Sequence, residues 1–395
     1  MTRKIKISGT GCALVDYLYK PVNFSSSTFA PYLSGKPGDG GLAPGKLVFK
    51  EEFEKFSGEA YMPVRDKITE NMPPVALNIG GPSIVSLIHA AQLLHNTPVE
   101  VNFYGCKGTD EGGKFIEEKL KNTPLKIAKY KQGTQYTPFT DVLSDPDFDH
   151  GNGERIFINN IGAAWEFLPS DLDDSFFDSD LVVFGGTALV PPIHDHLTEL
   201  LQKAKDKGCV TIVNTVYDFR NEKANPEQRW PLGKSDESYS LIDILITDSE
   251  EAIRLSGGKD IQQAIRFFQN KKLSSLIITN GSKNIYAYSD GQFCKALDLF
   301  EYPVSKKVTE ELKQGTNGDT TGCGDNFVGG VIASIALQLH NDVQLPNLEE
   351  ACCWGVISGG YTCFYIGGTY FEKLSGEKLE KLIPYYEHYK QQLAD

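Results

Sequence analysis

The residues best suited to chemistry lie in NGDTTGCGDNFVGG, residues 317–330. Glycines, threonines and two acids crowd together, and then the chain turns apolar with helical spacing. With a helix starting near Asp325, Gly322, Cys323 and Gly324 form its N-terminus. Small residues there let successive backbone N–H groups converge on one point, where the helix dipole favours an anion. Fixed donors of this kind stabilise the charge that spreads over a phosphoryl group in flight. Asp325 sets a carboxylate beside the same hole. That carboxylate repels the anion unless it takes up a proton during the reaction, which is the task of a general base acting on a substrate hydroxyl. The structural alternative makes Asp325 an ordinary N-cap and the glycines its turn.

Two further segments bear on that choice. Asp248-Ser-Glu-Glu251 follows the apolar run IDILIT. Two acids three apart at the C-terminal end of a strand can face one point and hold Mg²⁺ through water. They can equally complement the dipole of a helix that starts there. TNGSKN (279–284) follows SLIIT and can either cup phosphates or close a hairpin.

The elements that must position these groups are legible as a rhythm. LVVFGG (181–186), CVTIVNT (209–215), IDILIT (242–247) and SLIITN (275–280) are continuously apolar, and several are separated by helical patterns. Strands of that kind imply a parallel sheet covered on both faces. KIKISG (4–9) and VEVNFYG (99–105) are further strands, PSIVSLIHAAQLLH (82–95) and 325–340 are helices, and TPFTDVL and ERIFINN flank a turn at 145–153. Residues 19–74 are rich in Pro, Gly and Ser and read as an insertion or lid with little structure of its own. The expected division is a core of 1–18 and 75–395, with some lid strands within 130–162, and an extended lid at 19–74.

A chain of 395 residues with net charge -13 lacks the basic balance of a nucleic-acid surface. No segment is apolar for long enough to span a bilayer. No apolar run near Met1 resembles a secretory signal, and the eight cysteines show no Cys-x-x-Cys spacing, so reduced thiols in a cytoplasmic protein are expected. Several motifs fail on inspection. ISGTGCAL (7–14) has Leu14 at the third glycine of a dinucleotide fingerprint. GGLAPGKL and GTDEGGKF lack the Ser or Thr of a P-loop. His89 and His95 have no acid between them and are expected in core or on surface.

Taken in order along most of the chain, these segments resemble the ribokinase-like (PfkB) carbohydrate kinase family. Asp319-Thr-Thr-Gly-Cys-Gly-Asp325 is similar to its D-T-x-G-A-G-D signature. Gly80-Gly81 before a helix, FYGCKGTDEGG (103–113), GERIFINNIGAAWEFL (153–168), DILITDSEEA (243–252) and TNGSKNIYAY resemble its other segments. The resemblance implies a doubly wound, mainly parallel α/β sheet flanked by helices, with a small β lid. It implies an ATP-dependent kinase in which Asp325 is the base and Gly322, Cys323 and Gly324 form the anion hole. Asp248 and Glu251 would organise Mg²⁺, and Thr279 and Gly281 would line the ATP site. Asp16, Gly80, Gly81 and Glu154 would face the substrate. Asp319 and Thr321 would bind a monovalent cation, K⁺. The lid would be the surface through which two copies pair.

The departures fall mainly on the substrate side. Val85 stands where the family has Asn, Ala164 replaces the Asn of G-A-N, and NTVYDFR (214–220) does not keep the D-x-N-x-R of acid-sugar kinases. Cys323 replaces Ala and Asp248 replaces Asn. The leading expectation is phosphorylation of a small sugar or sugar derivative. The alternatives are a nucleoside kinase, with Phe29, Tyr32, Phe49 or Phe53 as a base platform, and a non-catalytic ligand-binding member of the fold. A Rossmann oxidoreductase matches only the strand rhythm.

Overall fold

Strands apolar on both faces end where helices cover both faces. A computed structural model of the chain describes residues 4–36, 38–316 and 318–394; Asn317, first in the glycine-rich segment, lies outside the described residues. Its strands in chain order are β1 (Ile5–Gly11), β2 (Leu14–Tyr19), β3 (Leu47–Phe49), β4 (Ala76–Gly80), β5 (Val99–Lys107), β6 (Lys126–Gln132) and β7 (Phe139–Asp145). β8 (Glu154–Asn160), β9 (Leu181–Gly185), β10 (Val210–Asn214), β11 (Ile244–Asp248), β12 (Ser275–Thr279), β13 (Ile285–Ser289) and β14 (Leu297–Tyr302) follow.

The main sheet has nine strands in the order β14-β13-β12-β11-β10-β9-β1-β5-β6. From β12 to β6 every pairing is parallel; β13 and β14 add an antiparallel edge. Ile5, Ile7, Val183, Ile212, Ile244 and Ile277 feed the core on one side, while Val182, Phe184, Val213, Leu245 and Ile278 feed the other. Alternate residues of each strand thus serve two cores, which is why the runs are apolar throughout. The vicinal pair Cys352-Cys353 is buried packing in the first of these cores.

A second sheet of five strands, β3-β8-β7-β2-β4, forms the lid. Its extent differs from the sequence expectation. Val75 was to begin the core α/β rhythm, yet Ala76–Gly80 pairs antiparallel with Leu14–Tyr19, and both belong to the lid. β4 alternates exposed and half-buried side chains up to Asn78, unlike the core strands. The helix that follows it does not make it a core strand.

The insertion also has more structure than its composition suggests. It contains β3 and two helices, α1 (Lys50–Ser57) and α2 (Tyr61–Ile68). Phe53, Tyr61, Val64 and Ile68 are buried together with Phe29 and Tyr32 against Phe139, Leu143, Ile156 and Ile158 of the lid sheet. The lid therefore has a third core of its own, on one of its two faces. Buried Asp141 of β7 ties α2 down: Tyr61 Oη donates to its Oδ2 at 2.7 Å, and Arg65 lies 3.9 Å away.

Candidate active site

Parallel sheets bind ligands beyond the carboxyl ends of their strands. Here those ends form a row in register, Gly11–Gly185–Asn214 and then Asp248–Thr279. The lid stands above the β1 end of this row, joined to it by the short links at 12–13, 81, 133–138 and 161.

The helix Cys323–His340 begins at the predicted place, two residues earlier than Asp325. Its N-cap is Gly322, with φ +75 and no side-chain cap, so Asp325 is the third helical residue and not a cap. Cys323, Gly324 and Asp325 occupy the first turn, where N–H groups have no partner within a helix. Gly322 is required twice. Its φ is left-handed, and a Cβ there would lie 2.4 Å from Gly368 Cα. Behind this turn Asn326 Nδ2 donates to the carbonyls of Gly322 (2.9 Å) and Gly368 (2.7 Å). Buried Lys378 in turn donates to Asn326 Oδ1 at 2.7 Å and to Tyr365 Oη at 3.0 Å. Burial holds the Lys378 amine well below its ordinary pKa.

Burial lifts the Asp325 carboxyl to about 6. Asp16, on the lid, is lifted to about 7 by burial first and then by the charges of Asp325 and Asp319. Asn78, the cross-strand partner of Asp16, donates to Ile366 O at 3.2 Å, and the next residue, Gly367, donates to Asp319, so the lid strand that carries Asp16 is docked on the loop before the helix. Asp16 Oδ2 sits against Gly80, where a Cβ would approach to 2.1 Å. Gly81, with φ +104, is the N-cap of α3 (Pro82–Leu93), and a Cβ on it would meet Cys12 O at 2.7 Å. Asp319 Oδ1 accepts from Thr321 N (2.9 Å) and Gly367 N (3.3 Å), which folds the pre-helix loop into a tight turn.

Asp248 and Glu251 do cap the helix that follows β11. Asp248 Oδ1 accepts from Glu251 N at 2.7 Å, and Glu251 Oε2 reaches back to Asp248 N at 3.4 Å. Capping does not account for the burial of Glu251, whose Oε2 accepts a hydrogen bond from the Thr215 hydroxyl. Burial and the Asp248 charge lift its carboxyl to about 8. A buried acid beside a second acid could hold a divalent cation, whose charge would offset their repulsion. Among the described residues no three metal-ligating side chains converge. Mg²⁺ would therefore be completed by water and phosphate oxygens. Thr279 ends β12 beside Asp248, and Gly281 (φ +57) has open space at its Cβ. TNGSKN closes the β12–β13 hairpin, the structural reading of that segment.

Glu154 is not brought to this place. It begins β8 opposite Asp145, at the lid's far tip, six residues before Asn160, which leads back to the core. At about 3.3 Å per residue that is roughly 20 Å along the strand. The hairpin register decides this, and a motif match cannot see it.

Beside Asp16 and Phe49 the lid presents three groups that the sequence reading missed, Asn78, Thr140 and Asn159. Asn78, Asp16, Thr140, Asn159 and Phe49 are successive partners across all five strands, so they share one face. Asn159 Nδ2 donates to Thr140 Oγ1 at 3.0 Å. Phe49 closes the row against Phe219 of the core, with ring centroids 6.0 Å apart. Lys223 adds a contact to Glu52 and lies over the Phe49 ring. Of the four aromatics considered as a base platform, Phe29, Tyr32 and Phe53 lie in the lid's own core, and only Phe49 is on this face. Buried Asn214 Oδ1, Ser83 Oγ and Asn160 Nδ2 have no hydrogen-bond partner. For Asn214 and Asn160 the one available signal was position at a strand end, and for Ser83 position in the first turn of α3. Val85 is buried against Gly368 and offers no polar group.

Known proteins share this architecture. Adenosine kinase from Schistosoma mansoni aligns with TM-score 0.67 at 16% identity, covering 93% of this chain and 97% of that one. Ribokinase from Thermotoga maritima aligns with TM-score 0.63 at 17% identity, covering 96% and 99%. In sequence, inositol 3-kinase of Arabidopsis thaliana is 23% identical over 318 residues, 80% of this chain and 76% of that protein. Adenosine kinase of Schizosaccharomyces pombe is 23% identical over 312 residues, 75% and 82%. These relatives are kinases of sugars, of polyols or of nucleosides. Residues 59–371 match the pfkB family carbohydrate kinase profile, which embraces three of the five lid strands, the helix Cys323–His340 and the two acids after β11, and the chain belongs to that family.

Proposed function

We propose that the chain transfers the γ-phosphoryl group of ATP to a hydroxyl of a small uncharged sugar or sugar derivative, with Asp325 as general base. The observation that carries this reading is the docking of the lid strand that holds Asp16 onto the loop before the Asp325 helix, through Asn78 to Ile366 O and Gly367 N to Asp319 Oδ1. A hydroxylated substrate held by Asp16 would present one hydroxyl to Asp325. With its pKa near 6, Asp325 is ionised at neutral pH yet basic enough to accept that proton. The first-turn N–H groups of Cys323, Gly324 and Asp325 would hold the moving phosphoryl. Mg²⁺ organised by Asp248 and Glu251 would neutralise the charge that develops between β- and γ-phosphates. Thr279 and Gly281 would line the nucleotide. Asp319 and Thr321 would bind K⁺ and fix the loop before the hole.

The acids around Asp16 argue against a substrate bearing phosphate or carboxylate at this end of the cleft. The row Asn78–Asp16–Thr140–Asn159 suits hydroxyl groups. Packing of three candidate platform aromatics inside the lid disfavours a nucleoside. Phe49 beside Phe219 is the one feature that favours it. The test is ADP release with Mg-ATP and K⁺ across neutral sugars, cyclic polyols, acid sugars, sugar phosphates and nucleosides. Turnover on a neutral sugar or polyol supports the reading. Turnover confined to nucleosides replaces it with the second reading, and failure to bind ATP removes both.

A further inference from the structure

Of the eight cysteines, six are buried; Cys323 and Cys363 alone reach solvent, and they face each other. Their sulfurs are 3.4 Å apart. Cys323 is the first residue of the anion-hole helix, and Cys363 caps the C-terminus of the helix Leu348–Thr362. The segment after Cys363 is docked along the loop before the hole. Tyr365 O accepts from Asp319 N at 3.1 Å, and Gly367 N donates to Asp319 Oδ1. The pair therefore bridges two helix ends across the loop that shapes the site.

We propose that Cys323 and Cys363 are a reversible oxidation site, at which a two-electron oxidant of the hydroperoxide class joins them in a disulfide that distorts the anion hole. In the first step one thiolate attacks a peroxide oxygen. An S–O bond forms, the O–O bond breaks, and the departing hydroxide takes a proton to leave as water (or as an alcohol from an organic peroxide). In the second step the other sulfur attacks the sulfenic sulfur. The S–S bond forms, the S–O bond breaks, and hydroxide leaves as water with the second thiol's proton. Two thiols lose two electrons in all, and one peroxide is reduced.

A disulfide holds its sulfurs about 2.05 Å apart, so the pair must close by roughly 1.3 Å from the present separation. The backbone at Gly322 has no slack, because Gly368 lies against its Cα. The strain falls on the first helical turn, whose N–H groups receive the phosphoryl. A displacement of about 1 Å at a reacting centre costs on the order of 100-fold in rate.

The consequence for turnover rests on the kinase reading above; formation of the bond does not. The full chain is treated with hydrogen peroxide, digested without reduction and mapped by mass spectrometry, and ADP release is followed before and after dithiothreitol. The expected result is a Cys323–Cys363 cross-linked peptide, loss of two of the eight thiols, and a roughly hundredfold fall in rate that dithiothreitol restores. Cys363→Ser, a residue outside the catalytic machinery, should keep the rate of the reduced protein and resist peroxide. Absence of the cross-link, or a cross-linked protein that turns over at the reduced rate, overturns the proposal. A reduced protein with no turnover on any substrate refutes the kinase reading instead, and the mass map still decides whether the bond forms.

Discussion

Replacing Asp325 by asparagine keeps the shape of the side chain and removes its charge and basicity. If Asp325 takes the hydroxyl proton, the loss is that of a general base, about 10²–10⁴ in turnover, or roughly 3–5 kcal/mol of barrier. The wild-type pH profile carries the same signature. With a pKa near 6 the group is roughly nine-tenths ionised at pH 7 and one-tenth at pH 5. The rate should fall roughly tenfold across that interval, and the asparagine variant should lack this limb. Stability should move the other way. Because burial raises the folded-state pKa above that of the unfolded chain, the folded form holds the proton more tightly. This residue's contribution therefore becomes less favourable as pH rises from about 4 to 6, and stays so above. Removing the charge should leave Tm at pH 7.5 equal to or above wild type, with no gain at pH 4. The assay pairs ADP release with thermal melts at pH 4 and 7.5. A variant within tenfold of wild-type turnover refutes the base assignment. A variant that melts well below wild type at pH 7.5 refutes the electrostatic argument.

Glu251→Gln should raise the Mg²⁺ concentration needed for half-maximal rate. In the wild type that requirement should fall by about tenfold per pH unit up to about pH 8, because the metal must displace the proton that burial and Asp248 keep on the acid; a pH-independent wild-type titration counts against the assignment. Gly322→Ala should lose most turnover while the protein still folds, since the left-handed backbone costs about 1–3 kcal/mol and the new methyl meets Gly368; near-normal rates would mean that the hole tolerates movement. Phe49→Ala should raise KM for the phosphoryl acceptor several-fold and leave KM for ATP unchanged, because Phe49 closes the lid row and stands apart from the Asp248–Thr279 end; equal effects on both would place Phe49 outside the acceptor site.

The glycine-rich turn and the acid pair after β11 were legible in the sequence because each is local. Gly322, Cys323, Gly324 and Asp325 are consecutive, and the helix that orients them starts among them. Asp248 and Glu251 lie in one turn after a strand that is apolar throughout. The lid was harder to read because nothing in it is local. Its row of four polar residues and Phe49 takes one residue from each of five strands drawn from distant segments, and only the pairing register aligns them. The same register carries Glu154 to the far tip, where its motif context is intact and its position is wrong for substrate. Composition misled at 19–74: Pro, Gly and Ser mark the turns there, while Phe29, Tyr32, Phe53 and Tyr61 form a core that no single window reveals.

That core has a consequence in mass action. A bare, apolar sheet face can be satisfied by a second molecule, and the stability gained then depends on how much protein is present. In this chain α1 and α2 cover the face from within the same polypeptide, at an effective concentration fixed by covalent connection. Dilution cannot remove such a cover. The lid should therefore stay folded, and the specific rate should stay constant, down to the lowest protein concentration at which it can be measured.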